Sequence, residues 1–305
     1  MPDHLSFSQV SALSGRFVRS CPRRWSYKKL FGMQDKPGTA MLCGTLIDQA
    51  AQTYLLRRQV NVEPEKARQA GLDQLMTQAP ALEWPASTDV ERYTQLVAEG
   101  YTALTFYLGE TVPATVQERH EFTVRGEDGE LVEMIGYSDW VTSDGVIVDL
   151  KWTGKARWNK DGLWDEEWLR EKRYQLVTYW TARAADRHRL DRANDMASAA
   201  GLPVTPWSQA SVTRVGRIVC VQHSLRQKQP VVKSIDLCLT LDDRAYMIGA
   251  IREADTIMRS GIHSPRPGLA CQPYPGISCA FVDQCRHDLG RTTPPTQSIA
   301  LGGAQ

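Results

Sequence analysis

The feature that most constrains this chain is a change of period about a third of the way along it. Up to residue 108, apolar residues recur at helical spacing. Beyond 115 come three short runs rich in β-branched residues, parted by Gly-Glu-Asp-Gly at 126–129 and Ser-Asp-Gly at 143–145. Asp-Gly steps between alternating segments mark hairpins, so residues 115–124, 131–141 and 146–151 are expected to form a three-stranded antiparallel meander. A long helical pattern follows over 165–188, then two strand patterns at 215–221 and 231–239 and a helix at 241–259. Before the meander, helices are expected over 5–19, 22–32, 39–58, 63–78 and 88–108. The uncharged Gly-, Pro- and Ser-containing stretch 197–213 reads as a loop. Helices interposed between strands in this order define an α/β fold.

Composition narrows the function classes. The chain has 305 residues, of which 42% are hydrophobic, enough to bury a sizeable core. Thirty-six Lys and Arg against thirty-five Asp and Glu leave a net charge of +1, so nucleic acid cannot be drawn by bulk charge and any contact must rest on local patches. No apolar run is long enough for a membrane-spanning helix. The first ten residues lack a basic segment followed by an apolar one, so a cytoplasmic chain without a secretory signal is expected.

The chemistry concentrates in Gly136-Tyr137-Ser138-Asp139 and Val148-Asp149-Leu150-Lys151. Asp149 and Lys151 are two apart on a strand and project from one face. The Ser-Asp-Gly turn can bring Asp139 alongside. Asp149 also ends an apolar run, Val146-Ile147-Val148, that reads as a central strand, where unpaired charge is costly. Two carboxylates and an ammonium at that place suit a hard divalent cation held by oxygens, with lysine steadying developing negative charge. On the following helix, Gln175 and Tyr179 are four apart and share a face.

These segments resemble the RecB-like branch of the PD-(D/E)xK nuclease superfamily, in which a Gly-x-x-Asp strand precedes an Asp-x-Lys-Thr-Gly strand and a Gln-x-x-x-Tyr helix. Here the second strand runs Asp149-Leu150-Lys151-Trp152-Thr153-Gly154, with Trp152 inserted before the Thr. The resemblance implies a restriction-endonuclease-like core, a mixed sheet flanked by helices, and metal-dependent hydrolysis of phosphodiesters. Asp139, Asp149, Lys151, Gln175 and Tyr179 would be the catalytic set, and Mg²⁺ or Mn²⁺ the metal. An early helix reads Gly44-Thr45-Leu46-Ile47-Asp48, with Asp48 where the family usually places a metal-ligating His. Asp48 joins Asp139 and Asp149 as an expected metal ligand. Its identity also motivates a second reading, a catalytically weakened DNA-binding module. Glu118 and Glu121 lie where the family has a further acidic residue.

Cys21 stands in Ser-Cys-Pro-Arg-Arg-Trp, and Cys271, Cys279 and Cys285 crowd the far end as Cys-x7-Cys-x5-Cys. Four thiolates suit either an iron–sulfur cubane or a structural zinc. The absence of Cys-x-x-Cys knuckles favours the cluster. The pattern resembles the iron–sulfur subset of RecB-like nucleases, which includes the AddB nuclease domain and the CRISPR-associated exonucleases. The resemblance implies a 4Fe-4S cluster on Cys21, Cys271, Cys279 and Cys285 that staples the N-terminal region to a C-terminal segment. Cys271 lies farther from its neighbours than is usual in that subset. Cys43, Cys220 and Cys238 read as small buried hydrophobes.

Residues 16–29 hold Arg16, Arg19, Arg23, Arg24, Lys28 and Lys29 with no acidic residue. A second basic set follows the candidate strand, Lys151, Lys155, Arg157 and Lys160, interleaved with Trp152, Trp158, Trp164 and Trp168. Cations beside aromatic rings suit phosphates and unstacked bases without sequence readout. Arg19, Arg23, Arg24, Lys28, Lys155 and Trp158 are therefore the expected DNA contacts.

The organisation expected is an N-terminal helical region (1–112), a nuclease core (113–260), a cysteine segment packing back on the N-terminus (261–290) and a disordered tail (291–305). The activity expected is an exonuclease acting on single-stranded DNA or DNA ends in repair or recombination, CRISPR adaptation or phage DNA processing. The second reading is an iron–sulfur DNA-binding module serving a helicase or integrase. Ring-forming relatives make an oligomer conceivable.

Overall fold

A computed structural model describes residues 4–18, 20–34, 37–199, 214–265 and 279–288, with the side chains of 187–199 excepted. The chain divides into two compact units that interleave along the sequence. One comprises Met1–Lys36, Glu121–Gly136 and Ala245–Gln305; the other, the site unit, comprises Pro37–His120 and Tyr137–Arg244.

The site unit is built on a mixed sheet. Strands β1 (Pro113–Arg125), β2 (Leu131–Thr142), β3 (Ile147–Thr153), β4 (Val215–Gln222) and β5 (Val231–Cys238) lie in the order β1-β2-β3-β4-β5. The β2–β3 and β4–β5 pairs are antiparallel. β3 and β4 are parallel, in register from Ile147↔Gly216 to Thr153↔Gln222. A parallel pair needs a crossover, and the long helix α6 (Glu166–Ala199) is part of it. The meander expectation therefore holds for β1 to β3, and the sheet becomes mixed at β3. The helix α6 overruns the expected loop at its start; residues 200–213 lie outside the described set.

Strand β3 takes the centre because its alternate faces have different work. Val148 and Leu150 join the main core cluster, with Trp152 packed against it. The helices α3 (Thr39–Gln59), α4 (Pro64–Gln78) and α5 (Val90–Leu108) supply the cluster's other side through Leu46, Tyr54, Leu75, Tyr101 and Leu104. The odd-numbered Asp149 faces α6, where Gln175 bonds it. Close approach on the α6 side is permitted by Gly216 on β4. A Cβ there would stand 2.8 Å from Leu176 Cδ1. On the other side Gly100 leaves room for Trp152, whose Cζ3 would lie 2.6 Å from a Cβ. Trp152 thus packs against α5.

In the other unit, α1 (Phe7–Leu13) is shorter than the helical pattern over 5–19. Leu5 instead bridges to Met134, its N–H donating to the Glu133 carbonyl at 2.8 Å and its carbonyl accepting from Ile135 N at 2.9 Å. The helix stops where the Glu253 carboxylate draws Ser14 Oγ and the Gly15 N–H, each at 2.8 Å. Helices α2 (Pro22–Lys29), α7 (Leu241–Ser260) and α8 (Val282–Asp288) complete the described α-helices. α7 contributes its residues from Ala245 onward to this unit. Tyr27 of α2 packs on Phe281, ring centroids 5.6 Å apart, and donates to the Asp288 carboxylate at 2.6 Å. Among the described residues no helix is long and apolar enough to cross a membrane.

Candidate active site

Asp139 and Asp149 meet where the β2–β3 ladder ends. The pairing runs through Trp140↔Val148 and Val141↔Ile147. Beyond it, the Leu150 N–H donates at 2.5 Å to Asp139 Oδ2. A side-chain carboxylate thus takes a main-chain donor, fixing Asp139 beside Asp149.

Asp149 is 2% exposed. Its Oδ1 accepts from Lys151 Nζ at 2.7 Å and Gln175 Nε2 at 3.0 Å. Gln175 Nε2 also lies 3.0 Å from Tyr179 Oη. The expected strand face and helix face therefore converge as the two-residue and four-residue spacings require. Asp149 Oδ2 is buried and has no hydrogen-bond partner. A buried carboxylate oxygen left bare is costly unless something positive meets it.

The electrostatics carry the same message. Burial, then the Asp149 charge, push Asp139 up to about 8, against the pull of Lys151. Asp48 is likewise raised, first by burial and also by Asp149, although Lys151 and the 2.9 Å bond from Gln52 Nε2 pull it down. Burial works against the Lys151 ammonium, but Asp149 and Asp139 outweigh it and hold the amine protonated. Burial and Asp149 raise Tyr179, keeping its phenol neutral. Three carboxylates within reach of one another's charge, with one ammonium among them, form a cluster short of positive charge.

That donor set suits a hard divalent cation: the oxygens are carboxylates and one of them is bare. Among the described residues no three His, Cys, Asp or Glu side chains close into a finished metal cage. Lys151 draws instead on Asp149. Asp48, Asp139 and Asp149 are the three carboxylates whose charges act on one another here.

Several neighbours had not been anticipated. Lys172 lies on α6 three residues before Gln175; burial lowers its pKa, followed by the charge of Lys151. The i, i+3, i+7 spacing of Lys172, Gln175 and Tyr179 was the available signal. Behind the site, buried His120 bonds Ser138 Oγ through Nε2 at 2.8 Å and stacks on Tyr179, centroids 5.1 Å apart. Glu118 is engaged by Arg183 Nη1 at 2.6 and 2.5 Å. Glu118 thus serves Arg183, and Glu121 belongs to the other unit.

Of the expected DNA contacts, Lys155 is exposed and Trp158 partly exposed in the site unit. Arg23, Arg24 and Lys28 lie on α2 in the other unit, and Arg19 is outside the described residues. Arg23 sits over the Tyr27 ring at 5.9 Å.

Cys21 is buried at the N-terminus of α2. Cys279 and Cys285 are partly buried against Tyr27, Met33 and Phe281, in the same unit. Cys271 lies outside the described residues. None of the described cysteines forms a disulfide. Cys43 and Cys220 are buried, and burial pushes both thiols up to about 12. Cys238, expected to be buried, is exposed because it ends the edge strand β5.

Fold and site together define an α/β protein in which carboxylates from α3, β2 and β3 gather with a lysine at the central strand of a mixed sheet. The family model of the PD-(D/E)XK nuclease superfamily matches residues 4–286, and the chain belongs to that superfamily. No curated protein matches it. Among solved structures it is similar to a protein from Eubacterium rectale described as a "putative exonuclease". The identity is 16%, the TM-score 0.49, and the match covers 97% of this chain and 91% of that one. It is also similar to the protein SSO0001, at 12% identity and a TM-score of 0.42, covering 96% of this chain and 89% of that one.

Proposed function

We propose that this nuclease hydrolyses DNA phosphodiesters with a divalent metal, Mg²⁺ or Mn²⁺, acting on single strands or ends. The observation that carries the reading is the buried, partnerless Asp149 Oδ2 beside Asp139, Asp48 and Lys151. Bound there, the metal would polarise the phosphate and lower the pKa of a water. The protein's own part is then specific. Asp139 is held by the Leu150 amide and Asp149 by Gln175, so both carboxylates keep their orientation. Lys151 stays charged and steadies negative charge as it develops on the phosphate. Tyr179, neutral and stacked on His120, fixes the Gln175 amide.

End-labelled single- and double-stranded DNA incubated with Mg²⁺, Mn²⁺ or EDTA tests this reading. Metal-dependent products that vanish in Lys151→Ala are expected; undiminished cleavage by that variant would refute it. The other reading, a binding module for a helicase or integrase, draws on Asp48 standing where a His is usual. Tight DNA binding with no metal-dependent turnover would favour it.

An iron–sulfur cluster on Cys21, Cys271, Cys279 and Cys285 is part of the same proposal. What supports it is that α2, which Cys21 begins, and the segment bearing Cys279 and Cys285 share one apolar cluster. Anaerobically purified protein should carry about four irons and absorb near 400 nm, and Cys21→Ser should lose both. Iron-free wild-type protein with intact activity would end the idea.

A further inference from the structure

The segment joining β3 to α6 is a tight hairpin that the sequence did not announce. Trp158 bridges antiparallel to Trp164. The Asn159 N–H donates to the Leu163 carbonyl at 2.8 Å, and Asp165 N–H to the Arg157 carbonyl at 2.7 Å. Asn159 Oδ1 accepts from the Asp161 and Leu163 amides at 2.9 Å each, and Gly162 takes a φ of 82° at the turn. Asp165 Oδ1 then caps α6 by accepting from the Trp168 N–H at 3.1 Å. The hairpin is thus an arm held by its own hydrogen bonds and set on the helix it precedes.

The arm and the first turn of α6 together carry a ladder of rings. Trp158 and Trp164 meet edge to face with centroids 5.0 Å apart, and Trp164 and Trp168 are nearly parallel, 11° and 5.9 Å apart. A cation stands at each end. Lys233 Nζ lies 4.9 Å from the Trp158 ring centre, and the Arg157 guanidinium 5.8 Å from that of Trp168. Arg157 Nε is buried without a hydrogen-bond partner. None of the three rings is in the buried core; each keeps part of its surface in water, and Leu163 at the tip is 67% exposed. Two of the rings lie on the hairpin and Trp168 on the first turn of α6, and all three are only partly covered.

Position supplies the rest. In the chain the arm lies between β3, which carries Lys151, and α6, which carries Lys172 and Gln175. Lys172 lies close enough to both Lys151 and Arg157 to feel their charges. Cations therefore continue from the site to the foot of the ladder. Resting on the nuclease reading above, we propose that Trp158, Trp164 and Trp168 form a stacking platform for a short run of unpaired bases, with Arg157 and Lys233 holding the flanking phosphates, so that a single strand is drawn into the site. Rings offer every base a π-face, so the grip is indifferent to sequence.

The test uses the full chain carrying Asp149→Asn, in EDTA, so that binding is read without cleavage. Titration with oligothymidylate should quench tryptophan fluorescence, and Trp164→Ala should weaken binding by about tenfold or more. Trp164→Phe, which keeps a ring, should recover most of that loss, and blunt duplex should bind with little change across the series. Absence of quenching, or single-strand affinity unaltered in Trp164→Ala, would overturn the proposal. The two readings can fail separately. Cleavage without ladder-dependent binding would sink the platform alone; ladder-dependent binding by a protein that never cleaves would sink the nuclease reading alone.

Discussion

At the scale of single residues, the account rests on how a buried carboxylate is kept in place. Asp149 is held by Lys151 and Gln175 on one oxygen and left bare on the other. Gln175 is therefore a positioning residue. Gln175→Leu should lower metal-dependent cleavage by about 10- to 100-fold, as loss of outer-shell partners commonly does, with a raised metal requirement. Tyr179→Phe, which loses only the contact with the Gln175 amide, should lose less. A metal titration of the cleavage rate in both variants checks the order.

His120 makes a different residue-scale prediction. Burial holds its pKa down to about 4, with the Glu118 charge opposing and Arg183 assisting. An unfolded histidine titrates near 6.5. Between these values the unfolded chain binds a proton that the folded one refuses, so stability falls as pH drops from about 6.5 toward about 4. The loss is on the order of 2–3 kcal/mol. Denaturant midpoints across that window should fall less steeply in His120→Asn than in wild type; parallel slopes would contradict it.

At the scale of elements, the site depends on α6 approaching β4 closely at Gly216. Gly216→Ala places a methyl 2.8 Å from Leu176 Cδ1 and 3.1 Å from its Cβ. Leu176 adjoins Gln175. The expected cost is about 1–3 kcal/mol of stability, with cleavage reduced beyond what the unfolded fraction explains. Thermal melts paired with rates at a temperature where both proteins are folded would separate the two effects.

The elements also show what a sequence can and cannot disclose. Asp149 with Lys151, and Gln175 with Tyr179, were readable because each pair lies within one element, where period alone fixes the face. Asp139 was readable because one short turn joins its strand to β3. The Trp158–Trp164 hairpin was not, since its register depends on the Asn159 side chain and its neighbours. The packing place of Trp152, over Gly100, was not legible either, since the two lie some fifty residues apart in the chain and only the packed structure brings them near. His120 and Ser138 meet across strands, a pairing that alternation alone does not number.

At the scale of the whole molecule, two units interleave along one chain. The site unit holds the acidic cluster and the tryptophan arm, and the other holds Cys21, Cys279 and Cys285 with the basic helix α2. The superfamily assignment spans both, from residue 4 to 286. The central claim concerns the site unit: the cluster around Asp149 is where a phosphodiester is cut. The most direct test is single-turnover cleavage of end-labelled single-stranded DNA with Mn²⁺, comparing wild type with Asp149→Asn. The account predicts cleavage by wild type and a loss of at least three orders of magnitude in the variant, which should still bind DNA. An Asp149→Asn protein that cuts at the wild-type rate would contradict it and move the active site elsewhere.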